Sequence, residues 1–137
     1  MADTAVPEKP LPEADEASEP FFQAAMEGRL MIMRCTDCGV ARLPSRAHCD
    51  NCLSPGFEWE EASGRGTVHT FGVMHQKYHP GFFAEIPYNL AVVELEEGPR
   101  ISTNLVGIEN SAIRVGMPVV VDFERHEDVA LPKFRPA

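Results

Sequence analysis

The chain of 137 residues carries 21 acidic residues against 12 lysines and arginines, so its formal net charge is −9 at neutral pH. This length suffices for one domain or two small modules, and no apolar run approaches the roughly 20 residues that a membrane-spanning helix needs. The acidic balance argues against a protein that follows nucleic-acid phosphates with clustered lysines and arginines. The first residues show no basic segment followed by an apolar one, so we expect a cytoplasmic protein.

The N-terminal third is predicted to contain a tail, a helix and a short strand. Residues 1–19 are rich in proline and acidic residues and poor in large apolar ones, which predicts a disordered acidic tail. In the segment 20–34, Phe22, Ala25 and Met26 recur at helical spacing, and Gly28 is suited to the C-terminal cap. Residues 30–33 then predict a strand that leads into the first cysteine.

All the cysteines of the chain fall in two Cys-x-x-Cys pairs, which are Cys35 with Cys38 and Cys49 with Cys52. This spacing is typical of two turns that offer four thiolates to one tetrahedral ion, so residues 35–56 are predicted to form a zinc ribbon. Iron is also compatible with four thiolates. Disulfides are disfavoured by the expected compartment, and a redox Cys-x-x-Cys is disfavoured because the flanks predict turns rather than a helix.

Residues 57–137 change to the period of strands. Five runs predict a small closed barrel of the OB type, with a Greek-key return after the Gly116–Met117–Pro118 break: Phe57–Glu61, Thr67–His75, Tyr88–Leu95, Arg100–Val106 and Pro118–Glu124. The predicted fold class is therefore mainly β, with an N-terminal helix, a zinc ribbon and a five-stranded barrel.

The order of several short motifs resembles the DUF35 family, from about residue 21 to the C-terminus. The motifs are Phe21-Phe22-x4-Glu27-Gly28, Arg34-Cys35-x2-Cys38-Gly39, Pro44-x-Arg46-x2-Cys49-x2-Cys52, Trp59-x3-Ser63-Gly64-x-Gly66, Pro87-Tyr88, Val93-x4-Gly98, Gly116-Met117 and Pro132-x-Phe134-Arg135-Pro136. The resemblance implies a rubredoxin-like zinc ribbon joined to an acyl-CoA-associated OB-fold. It also implies an accessory subunit, found with thiolase-like thiolases or retro-aldolases or with MaoC-like hydratases. Such a subunit supports its partner and helps to form the channel for a shared CoA thioester.

The residues themselves predict no catalytic centre in this chain. Every thiol is assigned to the metal, and no Gly-x-Ser-x-Gly or His-Glu-x-x-His motif is present. His69, His75 and His79 are interpreted as exposed or hydrogen-bonded rather than as general bases, because no carboxylate lies at motif spacing from them. Two further functions stay open beside the accessory subunit: a nucleic-acid-binding ribbon and barrel, and an independent acyl-CoA hydrolase.

Candidate contacts to CoA or to the partner come from three places in the sequence. They are the ribbon arginines, the aromatic loop after the long strand and the C-terminal cations, namely Arg42, Arg46, His75, Tyr78, His79, Phe82, Phe83, Lys133 and Arg135. The arginines near the ribbon, with Arg34, are also suited to balance the charge of four metal-bound thiolates. For Phe82 and Phe83, burial against the ribbon is an equally open alternative to recognition.

Overall fold

The computed structural model describes residues 8–43 and 45–137, and within them it has one α-helix and eight strands. The elements are α1 (Glu19–Met26), β1 (Met31–Cys35), β2 (Ala41–Arg42), β3 (Phe57–Glu61), β4 (Arg65–Met74), β5 (Tyr88–Leu95), β6 (Arg100–Thr103), β7 (Pro118–Arg125) and β8 (Ala130–Pro136). A 3-10 turn spans Pro80–Glu85 between β4 and β5. No helix in the described part of the chain is both long and apolar enough to cross a membrane.

Helix α1 forms where the apolar spacing predicted it. Pro20 lies in its first turn, where a missing N–H leaves no intrahelical bond unmade. Ala24 and Ala25 are buried. Gly28 follows the helix with a φ of 79°, the left-handed conformation predicted for a C-terminal cap. The helix end is tied to the barrel because Arg125 Nη1 donates to the carbonyl of Met26 at 2.5 Å.

The ribbon contributes a three-stranded sheet in the order β2-β1-β3. The prediction that Phe57–Glu61 opens the barrel is wrong, because this strand pairs with β1 along its whole length, from Met31↔Glu61 to Cys35↔Phe57. A strand in which apolar and polar residues alternate can join either sheet, because the alternation does not determine which strand it pairs with.

The second sheet has five strands in the order β6-β5-β4-β7-β8. Strands β4, β5 and β6 follow one another, and β7 returns to lie beside β4, which is the predicted Greek-key order. The fifth strand is β8, a segment not predicted as a strand because Pro132 and Pro136 lie within it. Each proline lacks the backbone N–H that would donate a hydrogen bond to a neighbouring strand. A strand at the edge of a sheet can tolerate this loss because one of its sides has no neighbouring strand.

The five-stranded sheet curls into a half-barrel rather than the closed barrel that was predicted. Its outer strands β6 and β8 are not hydrogen-bonded neighbours. The chain that follows β6 approaches β8 through one parallel bridge, Leu105↔Phe134, and the Thr103 hydroxyl donates to the carbonyl of Pro132 at 2.8 Å. Phe134 is fully buried at this seam.

Asn89 fixes the segment after β6 to strand β5. The Asn89 side chain is buried, donates to the carbonyl of Leu105 at 2.8 Å and accepts from the N–H of Leu105 at 2.6 Å. The seam is thereby held by an amide that pairs with both backbone groups of one residue.

The described part of the predicted tail is mostly exposed. Lys9 reaches the 3-10 turn, where its Nζ lies 3.1 Å from the carboxylate of Glu85 and 5.7 Å from the ring centre of Phe82. Residues 1–7 lie outside the described residues. Disorder of the tail in solution stays a prediction.

Candidate metal centre and contact surfaces

The two Cys-x-x-Cys turns have the same backbone hydrogen bonds. In the first, the N–H of Gly39 donates to the carbonyl of Cys35 at 3.0 Å; in the second, the N–H of Leu53 donates to that of Cys49 at 2.9 Å. The N–H of each first cysteine also donates to the carbonyl five residues later, at 3.0 Å and 2.9 Å respectively. The turns are thus two copies of one structure, and each directs its two sulfurs inward.

The four cysteine sulfurs lie within 4.8 Å of one another. The Cys35 and Cys52 sulfurs are 3.6 Å apart and those of Cys38 and Cys49 are 3.5 Å apart, and all four residues are free thiols rather than disulfides. A zinc–sulfur bond of about 2.3 Å in a tetrahedron separates two sulfurs by about 3.8 Å. The cluster therefore fits a zinc ion with little movement, and four thiolates are a closed structural set.

The thiols do not ionise easily together. A hydrogen bond from the backbone of Cys38 lowers the pKa of Cys35 to about 6. A backbone hydrogen bond from Ser54 lowers the pKa of Cys52, but burial and the neighbouring cysteine sulfurs outweigh it and raise the pKa to about 12. A divalent cation would supply the positive charge that lets all four sulfurs bind as thiolates.

The ribbon arginines are occupied by other partners. Arg34 Nη2 lies 2.6 Å from the carboxylate of Glu60, and its Nη1 donates to the carbonyl of Gly39 at 2.8 Å. Arg46 pairs with Asp50 at 2.6 Å. Arg42 is buried beneath the ring of Phe57 at 5.4 Å, and its Nη1 is buried with no hydrogen-bond partner in the described residues. Arg42 consequently belongs to the packing of the ribbon rather than to an accessible surface.

The aromatic residues of the loop between β4 and β5 differ in exposure. Phe82 is half-buried and its ring centre lies 6.0 Å from that of Tyr88 and 6.0 Å from that of His79. His79 Nδ1 accepts from the N–H of Gly81 at 3.0 Å. Phe83 is 43 % exposed and Tyr78 is 72 % exposed.

His75 is also exposed, as His69 is, which agrees with the interpretation of these histidines as surface groups. Phe82 packs against Tyr88 of β5.

A polar cavity of about 360 Å³ lies beside this loop, and Phe82, Tyr88, Asn104, Glu124 and Lys133 line it. Lys133 Nζ donates to the Asn104 side chain at 2.5 Å. Burial lowers the pKa of Lys133, and the charge of Glu124 opposes that effect. Burial raises the pKa of Glu124, but the hydrogen bond with His126 at 2.8 Å and the charge of Lys133 prevail and lower it.

Of these cavity residues, only Phe82 and Lys133 were candidates from the sequence. Asn89, which also lines the cavity, had a signal in the sequence: it is a polar residue at a buried position of an apolar strand.

A larger groove of about 450 Å³ lies at the open seam of the half-barrel. Phe21 and Phe22 of α1 form one wall, Ile101 and Leu131 of the outer strands form the other, and Lys133 lies between this groove and the polar cavity. Arg135 lies on the exposed surface nearby in sequence, with Nε 3.9 Å from the carboxylate of Asp122. The predicted C-terminal cations are thus on one strand, β8, but in different surroundings.

Comparison with known proteins gives matches along most of the chain. Residues 22–58 match the model "ChsH2, rubredoxin-like zinc ribbon domain", and residues 59–124 match "ChsH2, C-terminal OB-fold domain". A DUF35 domain-containing scaffold protein of Methanocaldococcus jannaschii is 37 % identical over 97 residues, which is 70 % of this chain and 68 % of the relative.

A probable enoyl-CoA hydratase alpha subunit of Thermomonospora curvata is 44 % identical over 132 residues, which is 94 % of this chain but 40 % of the relative. This chain therefore spans less than half the length of that relative. Among solved structures, a chain of the Ltp2-ChsH2(DUF35) aldolase superposes with a TM-score of 0.82 at 42 % identity, covering 92 % of this chain and 98 % of that one.

Proposed function

Because this chain belongs to the DUF35 family, we propose that it is a non-catalytic accessory subunit of an enzyme that acts on CoA thioesters, with a thiolase-like aldolase subunit as its partner. The observation that carries the proposal is the similarity to the chain of the Ltp2-ChsH2(DUF35) aldolase over 98 % of that chain. The superposition includes nearly all of this chain, so helix, ribbon and half-barrel are proposed to act as one accessory subunit.

The chemistry of the described residues supports a non-catalytic role. All four thiols belong to the sulfur cluster, so a cysteine nucleophile for acyl transfer is not free. His79 uses its Nδ1 to stabilise its own turn, and His126 is held by Glu124. The zinc ion is proposed to fold the ribbon, because binding energy in such a site is folding energy.

We assign the partner contact to the loop 75–87. Tyr78 and Phe83 expose aromatic rings that the fold of this chain leaves uncovered, and Lys77 Nζ lies 5.6 Å from the ring centre of Phe83. Aromatic residues of this kind are frequent anchors in protein interfaces. For the CoA phosphates, we favour Arg135 over Arg46, because the Arg135 ion pair at 3.9 Å is looser than that of Arg46 at 2.6 Å.

A hydratase is the second candidate partner. The relative from Thermomonospora curvata is named as a hydratase alpha subunit and is 44 % identical to this chain, but it is more than twice as long as the matched part. In a hydratase assembly this chain would correspond to that matched part. The two partners are therefore tested side by side.

The test is to co-produce the full chain with the Ltp2 homologue, and separately with a MaoC-like hydratase, from the same organism. We expect a stable complex with the Ltp2 homologue by size-exclusion chromatography with light scattering, turnover of an acyl-CoA substrate by the complex, and none by the chain alone. Turnover by the isolated chain, or the absence of a complex with either partner, would contradict the proposal. Tight, salt-sensitive binding to single-stranded nucleic acid would favour the other function that the sequence left open.

A double variant, Tyr78→Ser with Phe83→Ser, tests the loop. We expect weaker binding to the partner with an unchanged melting temperature and zinc content, because both rings are exposed. Leu90→Ser is the matched control, since Leu90 is 47 % exposed on β5, outside the loop. Equal loss of binding in the control would remove the assignment of the contact to the loop.

A further inference from the structure

The second metal-binding turn carries a leucine where its structural copy carries a glycine. Gly39 and Leu53 each follow the second cysteine of their turn and make the same backbone hydrogen bond. Gly39 has a φ of 78° and Leu53 has a φ of 65°, the left-handed region that disfavours residues with a Cβ. Leu53 is the one non-glycine residue of the described chain with positive φ.

The fold of this chain gives Leu53 no packing role. Its side chain is 75 % exposed, the largest exposure among the large hydrophobic residues of the described part. At the equivalent position of the first turn, a Cβ built on Gly39 would meet no atom within 4 Å, so this corner of the turn points into open space. The chain therefore accepts backbone strain at a residue whose side chain contributes no packing, and strain that the isolated fold does not use is a signal of function.

We propose that Leu53 is an anchor that inserts into an apolar pocket with a basic rim on the partner enzyme subunit. This inference rests on the proposed function, because it names a second contact surface of the same subunit. Val40 follows Gly39 in the other turn and is 41 % exposed, so each of the two turns exposes one apolar side chain. We call the end of the ribbon formed by the two turns its tip.

The charge around the tip selects the kind of partner. Residues 35–56 contain two aspartates and two arginines, so a zinc ion with four thiolates leaves the ribbon with a formal charge of about −2. Asp37 lies next to the tip, since its carboxylate accepts from the hydroxyl of Ser54. A second copy of this chain, with its net charge of −9, and an anionic lipid surface are both repelled by such a tip.

The experiment compares Leu53→Gly with Leu53→Met in the full-length, zinc-loaded chain. The glycine variant removes the anchor and relieves the backbone strain, whereas the methionine variant keeps an apolar side chain and the same strain. We expect Leu53→Gly to leave the melting temperature unchanged or raised and to weaken binding to the co-produced partner by about tenfold or more, the factor expected for burying one leucine side chain. Leu53→Met is expected to bind within about threefold of the natural chain.

Each other result has a definite meaning. If the natural chain binds its partner and Leu53→Gly binds equally well, the anchor is refuted while the proposed function stands. If the natural chain binds no partner, the proposed function itself fails. A melting temperature lowered by more than about 5 °C in Leu53→Gly would show a packing role and overturn the inference. Self-association of the chain alone that Leu53→Gly abolishes would assign the tip to a second copy instead.

Discussion

Replacing Asn89 by alanine should destabilise the half-barrel more than its single side chain suggests. The substitution removes two hydrogen bonds to Leu105 at once, at 2.8 Å and 2.6 Å, and leaves the buried N–H and carbonyl of Leu105 without these partners. It also removes a longer bond of 3.3 Å from the Asn89 amide to the Asn110 side chain. A buried backbone group left unsatisfied costs about 1–3 kcal/mol. We therefore expect a loss of about 3 kcal/mol in the free energy of unfolding, which lowers the melting temperature by about 10 °C for a chain of this size.

The assay is thermal unfolding followed by circular dichroism on the zinc-loaded protein, together with metal analysis. Asn110→Ala is the matched control, because it removes only two longer bonds, the 3.3 Å bond that Asn110 accepts from Asn89 and the 3.2 Å bond that it donates to the exposed carbonyl of Pro87, and leaves both bonds between Asn89 and Leu105 in place. We expect the control to change the melting temperature by no more than about 3 °C. Zinc content should be unchanged in both variants, since neither residue belongs to the ribbon. A loss below about 2 °C in Asn89→Ala would refute the reasoning that the seam depends on this amide.

Four further outcomes are expected. Cys38→Ser should lose the zinc measured by elemental analysis and lose ribbon structure, because one of the four thiolates is missing; retained stoichiometric metal would contradict the site. Removing residues 1–14 should lower the melting temperature by no more than about 3 °C, because the described part of that tail is mostly exposed and touches the 3-10 turn through the Lys9 ion pair and the backbone of Glu8 and Lys9 beside Gly81. Phe83→Ala alone should lower partner activity while the fold and zinc content persist, and unchanged activity would argue against the loop contact. Glu124→Gln should lower stability at neutral pH and progressively less as the pH is lowered below 4.5: the folded-state pKa of Glu124 lies below its ordinary value of 4.5, so its contribution is complete above that pH and is lost as pH falls through the folded pKa. An equal loss of stability at neutral and at acidic pH would contradict the lowered pKa of Glu124.

The metal cluster could be predicted from the sequence because a tetrahedral ion requires only local geometry. Each Cys-x-x-Cys turn brings two sulfurs together by itself, and the structure places all four within 4.8 Å. Gly28 and Gly98 likewise mark local turns, and both have positive φ in the structure. The helix was predicted for the same reason, since its apolar spacing is local. The Greek-key return was predicted from the break at residues 116–118, although the pairing of β7 with β4 is itself long-range.

Long-range pairing could not be predicted in the same way. Strand β3 has the alternation of a barrel strand but pairs with β1, and β8 contains two prolines yet closes the edge of the sheet. Both outcomes depend on which neighbour is available in three dimensions. Glu124, His126 and Lys133 come together only because β7 and β8 form a hairpin. Since β8 was not predicted as a strand, their proximity could not be predicted either.

The prolines at the open seam also affect whether the chain associates with copies of itself. A half-barrel has two outer strands, and unpaired backbone groups on such strands invite pairing with other chains. Here β6 has only four residues, while β8 lacks two ladder donors at Pro132 and Pro136 and its remaining edge groups at Phe134 bond the segment that follows β6. Neither strand offers a continuous template for polymerisation. The isolated chain is therefore expected to resist association through its sheet edges even where the proposed partner is absent.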